Sequence, residues 1–127
     1  MGISYYANYL AWFEAARTEY FRALDLVYAD LEQQGVFLPV AEAQCRYLAP
    51  SSYDDELTIR TAVSQMRQSS LRFEYQVLKN VKEAEANGQK LVPIATGYTV
   101  HVFSDRNLKP IRIPEKLRSQ VEIATLS

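Results

Sequence analysis

The sequence has one cysteine, Cys45, and one histidine, His101. A single thiol cannot close an intramolecular disulfide. A lone Cys in a strand-like stretch is expected to be a small buried hydrophobe in a reducing compartment, which points to the cytoplasm. One imidazole and one thiol are too few donors for a zinc-type centre, so no metal site is expected. Any Ser-His-Asp or Cys-His arrangement would have to use His101, which alternates with apolar neighbours in Tyr98-Thr99-Val100-His101-Val102-Phe103. That setting suits a sheet-face or interface residue better than a catalytic base. Long apolar runs are also missing. None approaches the roughly 18 residues needed to span a bilayer, and the start has no basic segment leading into an apolar one, so neither membrane insertion nor export is expected. An excess of charge is the third absence. With 14 basic and 15 acidic residues the net charge is -1, which gives no footprint for nucleic acid or an anionic membrane. An anionic ligand would have to be held by a few local charges.

What is present is the balance of an ordinary soluble domain: 127 residues, 48% apolar and 23% charged, enough for one domain with its own core. From Ala7 to Leu24, the apolar residues Tyr9, Leu10, Trp12, Phe13, Ala16, Tyr20, Phe21 and Leu24 recur at three- and four-residue spacings, which predicts one long amphipathic helix. Asn8 is a possible cap for its first turn. A short second helix is expected over Tyr28–Gln34, stopped by Gly35. Beyond it the texture becomes strand-like: Val36–Val40 leads into Ala41–Leu48, and strands follow over Glu56–Met66 and Leu71–Val81. Leu57–Val63 and Leu71–Val77 alternate apolar with polar residues, as in antiparallel strands with one wet face. Lys82–Lys90, with Asn87-Gly88, reads as a hairpin loop. A last long strand is expected over Leu91–Ser104, and Pro110 and Pro114 frame a short strand before a C-terminal helical tail. One helix followed by antiparallel strands is an α+β pattern, most economically packed with the helix across the apolar face of the sheet.

The stretch Gly2-Ile3-Ser4-Tyr5-Tyr6-Ala7-Asn8-Tyr9-Leu10-Ala11-Trp12-Phe13-Glu14-Ala15-Ala16-Arg17-Thr18-Glu19 resembles the signature of the 4-hydroxybenzoyl-CoA thioesterase family in its YbgC-like branch. Further matches follow in order: Ala49–Leu57 resembles the family's turn into its third strand, Met66–Leu71 its next turn, and Arg112-Ile113-Pro114 its C-terminal end. The resemblance implies a single hotdog domain over residues 1–127, a long helix wrapped by a curved antiparallel sheet, assembled as a homodimer or homotetramer with active sites at the dimer interface. It implies hydrolysis of a small or medium acyl-CoA, or sometimes of an acyl-carrier-protein thioester, with no metal and no organic cofactor. In the family an Asp-x-x-Gly motif carries the nucleophile or general base. Its Gly corresponds to Gly2, and its Asp position precedes Met1. The family's first strand also precedes the motif, so an open sheet edge is expected here. The competing reading is an acyl-CoA or acyl-carrier-protein binding subunit with impaired catalysis.

Thioester hydrolysis needs a polariser for the carbonyl oxygen, a nucleophile or a base for water, and a pocket that excludes solvent. Free backbone N–H groups at the start of the long helix can stabilise an oxyanion. By resemblance the donor is the Tyr6 amide, with Gly2 and Tyr5 beside the substrate, although Tyr5, Tyr6 and Tyr9 also fit simple packing. Glu14 is the surviving carboxylate for positioning water or substrate; an intrahelical pairing with Arg17, three residues on, accounts for it equally well. Coenzyme A carries phosphates that arginine binds through charge-assisted hydrogen bonds. Arg67, in the matching turn, is the first anchor, with Ser69 offering a neutral hydroxyl or amide. A solvated turn residue is the plainer reading of Arg67.

Overall fold

The computed structural model describes residues 6–49, 56–83 and 88–126, with side chains over 9–49, 56–81 and 90–126. Helix α1 (Tyr6–Ala23) contains no glycine or proline, so nothing breaks its ladder. Tyr9, Phe13, Arg17 and Phe21 recur every four residues, and all four are buried. They form one stripe on the helix. The helix stops where Asp25 takes the left-handed conformation, φ 63. Leu26 N–H then donates to the Phe21 carbonyl and Asp25 N–H to the Arg22 carbonyl, both at 2.9 Å. This is a Schellman closure, made by Asp where Gly is the usual residue. Helix α2 (Tyr28–Gln33) ends in the same closure, with Gly35 at φ 84, as its position in the sequence predicts.

Among the described residues four strands follow: β1 (Val40–Tyr47), β2 (Leu57–Met66), β3 (Ser70–Glu83) and β4 (Gly88–Val102). They form one antiparallel sheet in the order β1-β4-β3-β2. The expected hairpin loop over Lys82–Lys90 is shorter than its composition suggests. Lys82 pairs with Gln89 and Glu83 with Gly88, so the ladder runs into the polar stretch and only residues 84–87 fall outside the description. The period of two also breaks at three bulges. Between β3 and β4 the register shifts so that Val77 faces Ala95 while Leu78 faces Pro93. Ile94 is the extra residue, beside a proline that has no N–H to give the ladder, and Ile94 and Ala95 are consequently both buried.

The short strand expected between Pro110 and Pro114 is not formed. Pro110 makes one isolated bridge to Ser104, and Ile111 and Ile113 donate to Phe103 and Gln68 as single tethers. Prolines at both ends leave too few N–H groups for a ladder. The tail does contain helix α3 (Glu115–Gln120), which buries Leu117. Beyond it, Ile123 bridges Val63 and Ala124 N–H donates to the Val63 carbonyl, so the tail touches the outer edge of β2. On the opposite edge, β1 is exposed at every residue except Cys45. That thiol is half-buried rather than enclosed, because its strand is the margin of the sheet.

Helix α1 lies across one face of this sheet. Phe13 stacks on Tyr75 of β3 with centroids 4.2 Å apart, Phe21 meets Phe73 edge-on, and Tyr9 meets Tyr47 of β1 at 4.9 Å. Gly97 of β4 sits beneath Phe13. A Cβ there would come within 2.5 Å of both the Phe13 ring and the Gln44 carbonyl oxygen, so the absent side chain lets the helix settle onto the sheet.

Candidate active site

The residues singled out in the sequence fall into two regions and a segment outside the description. Gly2 and Tyr5 lie outside the described residues. Tyr6 is the first residue of α1, where a backbone N–H has no intrahelical acceptor and points along the positive end of the helix dipole. Glu14 lies eight residues further on, about 12 Å along the axis, so Tyr6 and Glu14 do not meet on one chain. Glu14 is exposed, and its backbone carbonyl accepts from the Thr18 hydroxyl at 3.0 Å. The intrahelical pair with Arg17 is not made. Arg17 turns inward, is 8% exposed, and donates from Nη1 to the Tyr75 hydroxyl at 3.1 Å.

That contact begins a buried polar chain. The Tyr75 hydroxyl is 2.7 Å from Thr99 Oγ1, which is 3.0 Å from His101 Nε2, and His101 Nδ1 is 3.1 Å from the Leu38 carbonyl oxygen. With a neutral imidazole, one assignment of protons satisfies every link. The Leu38 carbonyl only accepts, so Nδ1 carries the proton and Nε2 accepts from Thr99; Thr99 then accepts from Tyr75, which accepts from Arg17. A charged imidazole would instead donate to Thr99 and make Thr99 the donor to Tyr75, leaving the Tyr75 hydroxyl proton without an acceptor in the chain, so the neutral form is the one that uses every donor. Burial, aided by the nearby Arg17 charge and opposed by the Leu38 carbonyl, lowers the His101 pKa from 6.5 to about 4, and burial raises the Tyr75 and Tyr28 hydroxyls. Arg17, Tyr75 and Thr99 were not picked out from the sequence. The available signal was a charge at the centre of an apolar stripe, four residues from Phe13 on one side and from Phe21 on the other. Glu14, Arg17 and His101 also line an open cavity of about 490 Å³, together with Tyr28 and Glu32 of α2 and Leu38–Val40.

The second region is the β2–β3 turn. Arg67 N–H closes it on the Ser70 carbonyl at 2.9 Å, and Phe103 N–H donates to the Ser69 carbonyl at 2.7 Å. The Arg67 side chain is exposed. Arg118 of α3 reaches over, giving Nη2 to the Arg67 and Gln68 carbonyls at 2.7 and 3.2 Å. Arg67, Arg112 and Arg118 thereby line one cavity of about 460 Å³, with Glu115 as its carboxylate. On a chain of net charge -1 this is a local concentration of positive charge. Arg112 and Arg118 lie some fifty residues from Arg67, so only the tertiary fold joins them. Among the described residues, no group of three or more His, Cys, Asp or Glu is placed to hold a metal, and no helix is long and apolar enough to cross a membrane.

A long helix laid across an antiparallel sheet is the hotdog arrangement. The model of the Thioesterase-like superfamily matches residues 1–121, and the chain belongs to that family. It is 28% identical over 119 residues to the acyl-CoA thioesterase YbgC of Haemophilus influenzae, covering 93% of this chain and 81% of that one. A 61-residue stretch is 39% identical to the putative acyl-CoA thioesterase YneP of Bacillus subtilis, covering 48% of this chain and only 44% of that protein. Among solved structures, a gentisyl-coenzyme A thioesterase superposes with a TM-score of 0.75 at 26% identity, over 92% of this chain and 87% of that one.

Proposed function

We propose that this chain is a cytoplasmic acyl-CoA thioesterase that cleaves a small or medium acyl group from coenzyme A. The observation that carries the reading is the cavity shared by Arg67, Arg112 and Arg118. Guanidinium groups bind phosphate through paired, charge-assisted hydrogen bonds, and the phosphates of coenzyme A are the anionic part of such a substrate. Arg67 and Arg112 reach the phosphates, Arg118 holds the turn that presents Arg67, and Ser69 offers its hydroxyl. At the reacting end the Tyr6 amide polarises the thioester carbonyl, water adds to the carbonyl carbon, and the C–S bond breaks to release the carboxylic acid and the free thiol.

Glu14 enters through a second copy. Among the described residues β1 pairs only with β4, so its outer edge offers a row of backbone groups, and antiparallel pairing there makes a homodimer, the unit from which a tetramer is built. With the pair centred on Ala43 and Gln44, Val40 of one copy faces Tyr47 of the other. Tyr47 touches Tyr9 near the start of α1, while Val40 lines the cavity of Glu14. This arrangement brings the helix start of one protomer towards Glu14 of its partner, where the carboxylate positions the attacking water.

The test is hydrolysis of an acyl-CoA panel, with acyl-carrier-protein thioesters in parallel, by the 127-residue chain and by a chain carrying an aspartate at the position the family motif puts before Met1. Arg67→Gln is expected to raise KM for acyl-CoA about tenfold with kcat retained. A chain with that aspartate that stays inert towards every thioester overturns the enzyme reading, and binding without turnover supports an acyl-CoA or acyl-carrier-protein binding subunit in its place.

A further inference from the structure

We propose that the cavity between α1, α2 and the start of β1 is a monocarboxylate-binding site in which Arg17 holds the anion. Arg17 is a permanent cation at 8% exposure. Among the described residues no carboxylate lies within ion-pairing distance of it. Its Nε is enclosed and has no hydrogen-bond partner. A guanidinium taken out of water with only two neutral phenols, Tyr75 and Tyr28, as its partners is an incomplete arrangement, because a buried charge is normally matched by an opposite one. The surrounding side chains do not supply that match.

The cavity supplies the room. About 490 Å³ falls within the span of small-molecule pockets. Its walls set the ligand's chemistry. Leu38, Pro39 and Val40 offer apolar surface, and the Tyr28 hydroxyl stands beside Arg17 as a neutral donor. His101 is uncharged near neutral pH and adds no second cation. Glu14 and Glu32 are exposed on the lining, so one buried positive charge faces two outer negative ones. A phosphate or dicarboxylate entering past them is repelled, whereas an anion of single charge with an apolar body is matched to Arg17 at one end and to Leu38–Val40 at the other. Hydrolysis of a thioester makes such a molecule, since the released acid is ionised at neutral pH. That last step rests on the thioesterase reading: the enzyme's own product is the carboxylate it meets, and the site gives product inhibition.

Binding is measured without turnover, by calorimetry on the full chain with benzoate and hexanoate as probes and with benzyl alcohol and inorganic phosphate as controls. The signal of the chain's single imidazole, His101, reports by NMR whether the probe sits in this cavity. The expected result is saturable carboxylate binding that moves the His101 signal, with neither control binding comparably. Glu32→Gln, an exposed change outside the hydrogen-bonded chain, should tighten benzoate about two- to fivefold at low salt and lose that gain at high salt. Arg17→Gln, where it folds, should weaken benzoate at least tenfold. No carboxylate binding by the native chain up to about 10 mM, equal binding of benzyl alcohol, an unmoved His101 signal, or unchanged affinity in Glu32→Gln overturns the site. Turnover of acyl-CoA without carboxylate binding removes the site and leaves the enzyme. Carboxylate binding by a protein inert to every thioester keeps the site and removes the product assignment.

Discussion

Acidification from pH 7 to pH 5 is expected to cost this fold about 2 kcal/mol through His101 alone. The imidazole is 2% exposed and its two nitrogens are committed, one to the Leu38 carbonyl and one to the Thr99 hydroxyl. Burial, then the Arg17 charge, place its pKa at about 4 against the ordinary 6.5. The folded pKa lies below the unfolded one, so in the interval between them the unfolded chain binds the extra proton. The stability His101 protects is therefore complete above about pH 6.5 and is lost as the pH falls towards 4, to a total of about 3 kcal/mol. Protonation would also turn Nε2 from acceptor to donor and reverse the Thr99–Tyr75 bond, leaving the Tyr75 hydroxyl proton without an acceptor in the chain, because Arg17 only donates. Urea denaturation of the native chain and of His101→Asn at pH 7 and pH 5 isolates this contribution. The variant starts less stable, and its loss between the two pH values should be smaller by about 2 kcal/mol. Because the chain has one histidine, a single imidazole titration by NMR on untagged protein gives the folded pKa directly. A value near 6.5, or equal pH losses in the two proteins, refutes the reasoning.

Two further substitutions address the packing of α1. Tyr75→Phe removes the hydroxyl that accepts from Arg17 and bonds Thr99, leaving a buried cation with one partner fewer; a loss of about 1–3 kcal/mol is expected, seen as a lower urea midpoint with an unchanged m-value. Gly97→Ala places a methyl group against the Phe13 ring and the Gln44 carbonyl. The backbone oxygen cannot swing aside as a side chain does, so a loss of about 1–3 kcal/mol is expected, and a thermal midpoint equal to that of the native chain would show that the helix does not rest on β4 as described.

Local chemistry alone determined much of this protein. The stripe Tyr9, Phe13, Phe21 set α1, Gly35 set the end of α2, and the alternation in Leu71–Val77 set the inward face of β3, because each depends on residues close together in the chain. The N-terminal signature carried the family for the same reason. Local reading failed where the partner is distant or the period breaks. The polar run Lys82–Lys90 looked like a loop, but pairing extends the hairpin into it, and the residues between Pro110 and Pro114 had no strand to join in a ladder. At the candidate site, Arg67 was legible from its turn, whereas its companions Arg112 and Arg118 arrive only through the return of the C-terminal tail. Arg17 differs from both. The sequence placed it on the wet face of α1 beside Glu14, whereas its buried role was decided by Tyr75, Thr99, His101 and Leu38, which come from two strands and the segment before β1. No spacing rule encodes that chain of hydrogen bonds, because it exists only once the helix is down on the sheet and water has been removed from around the charge.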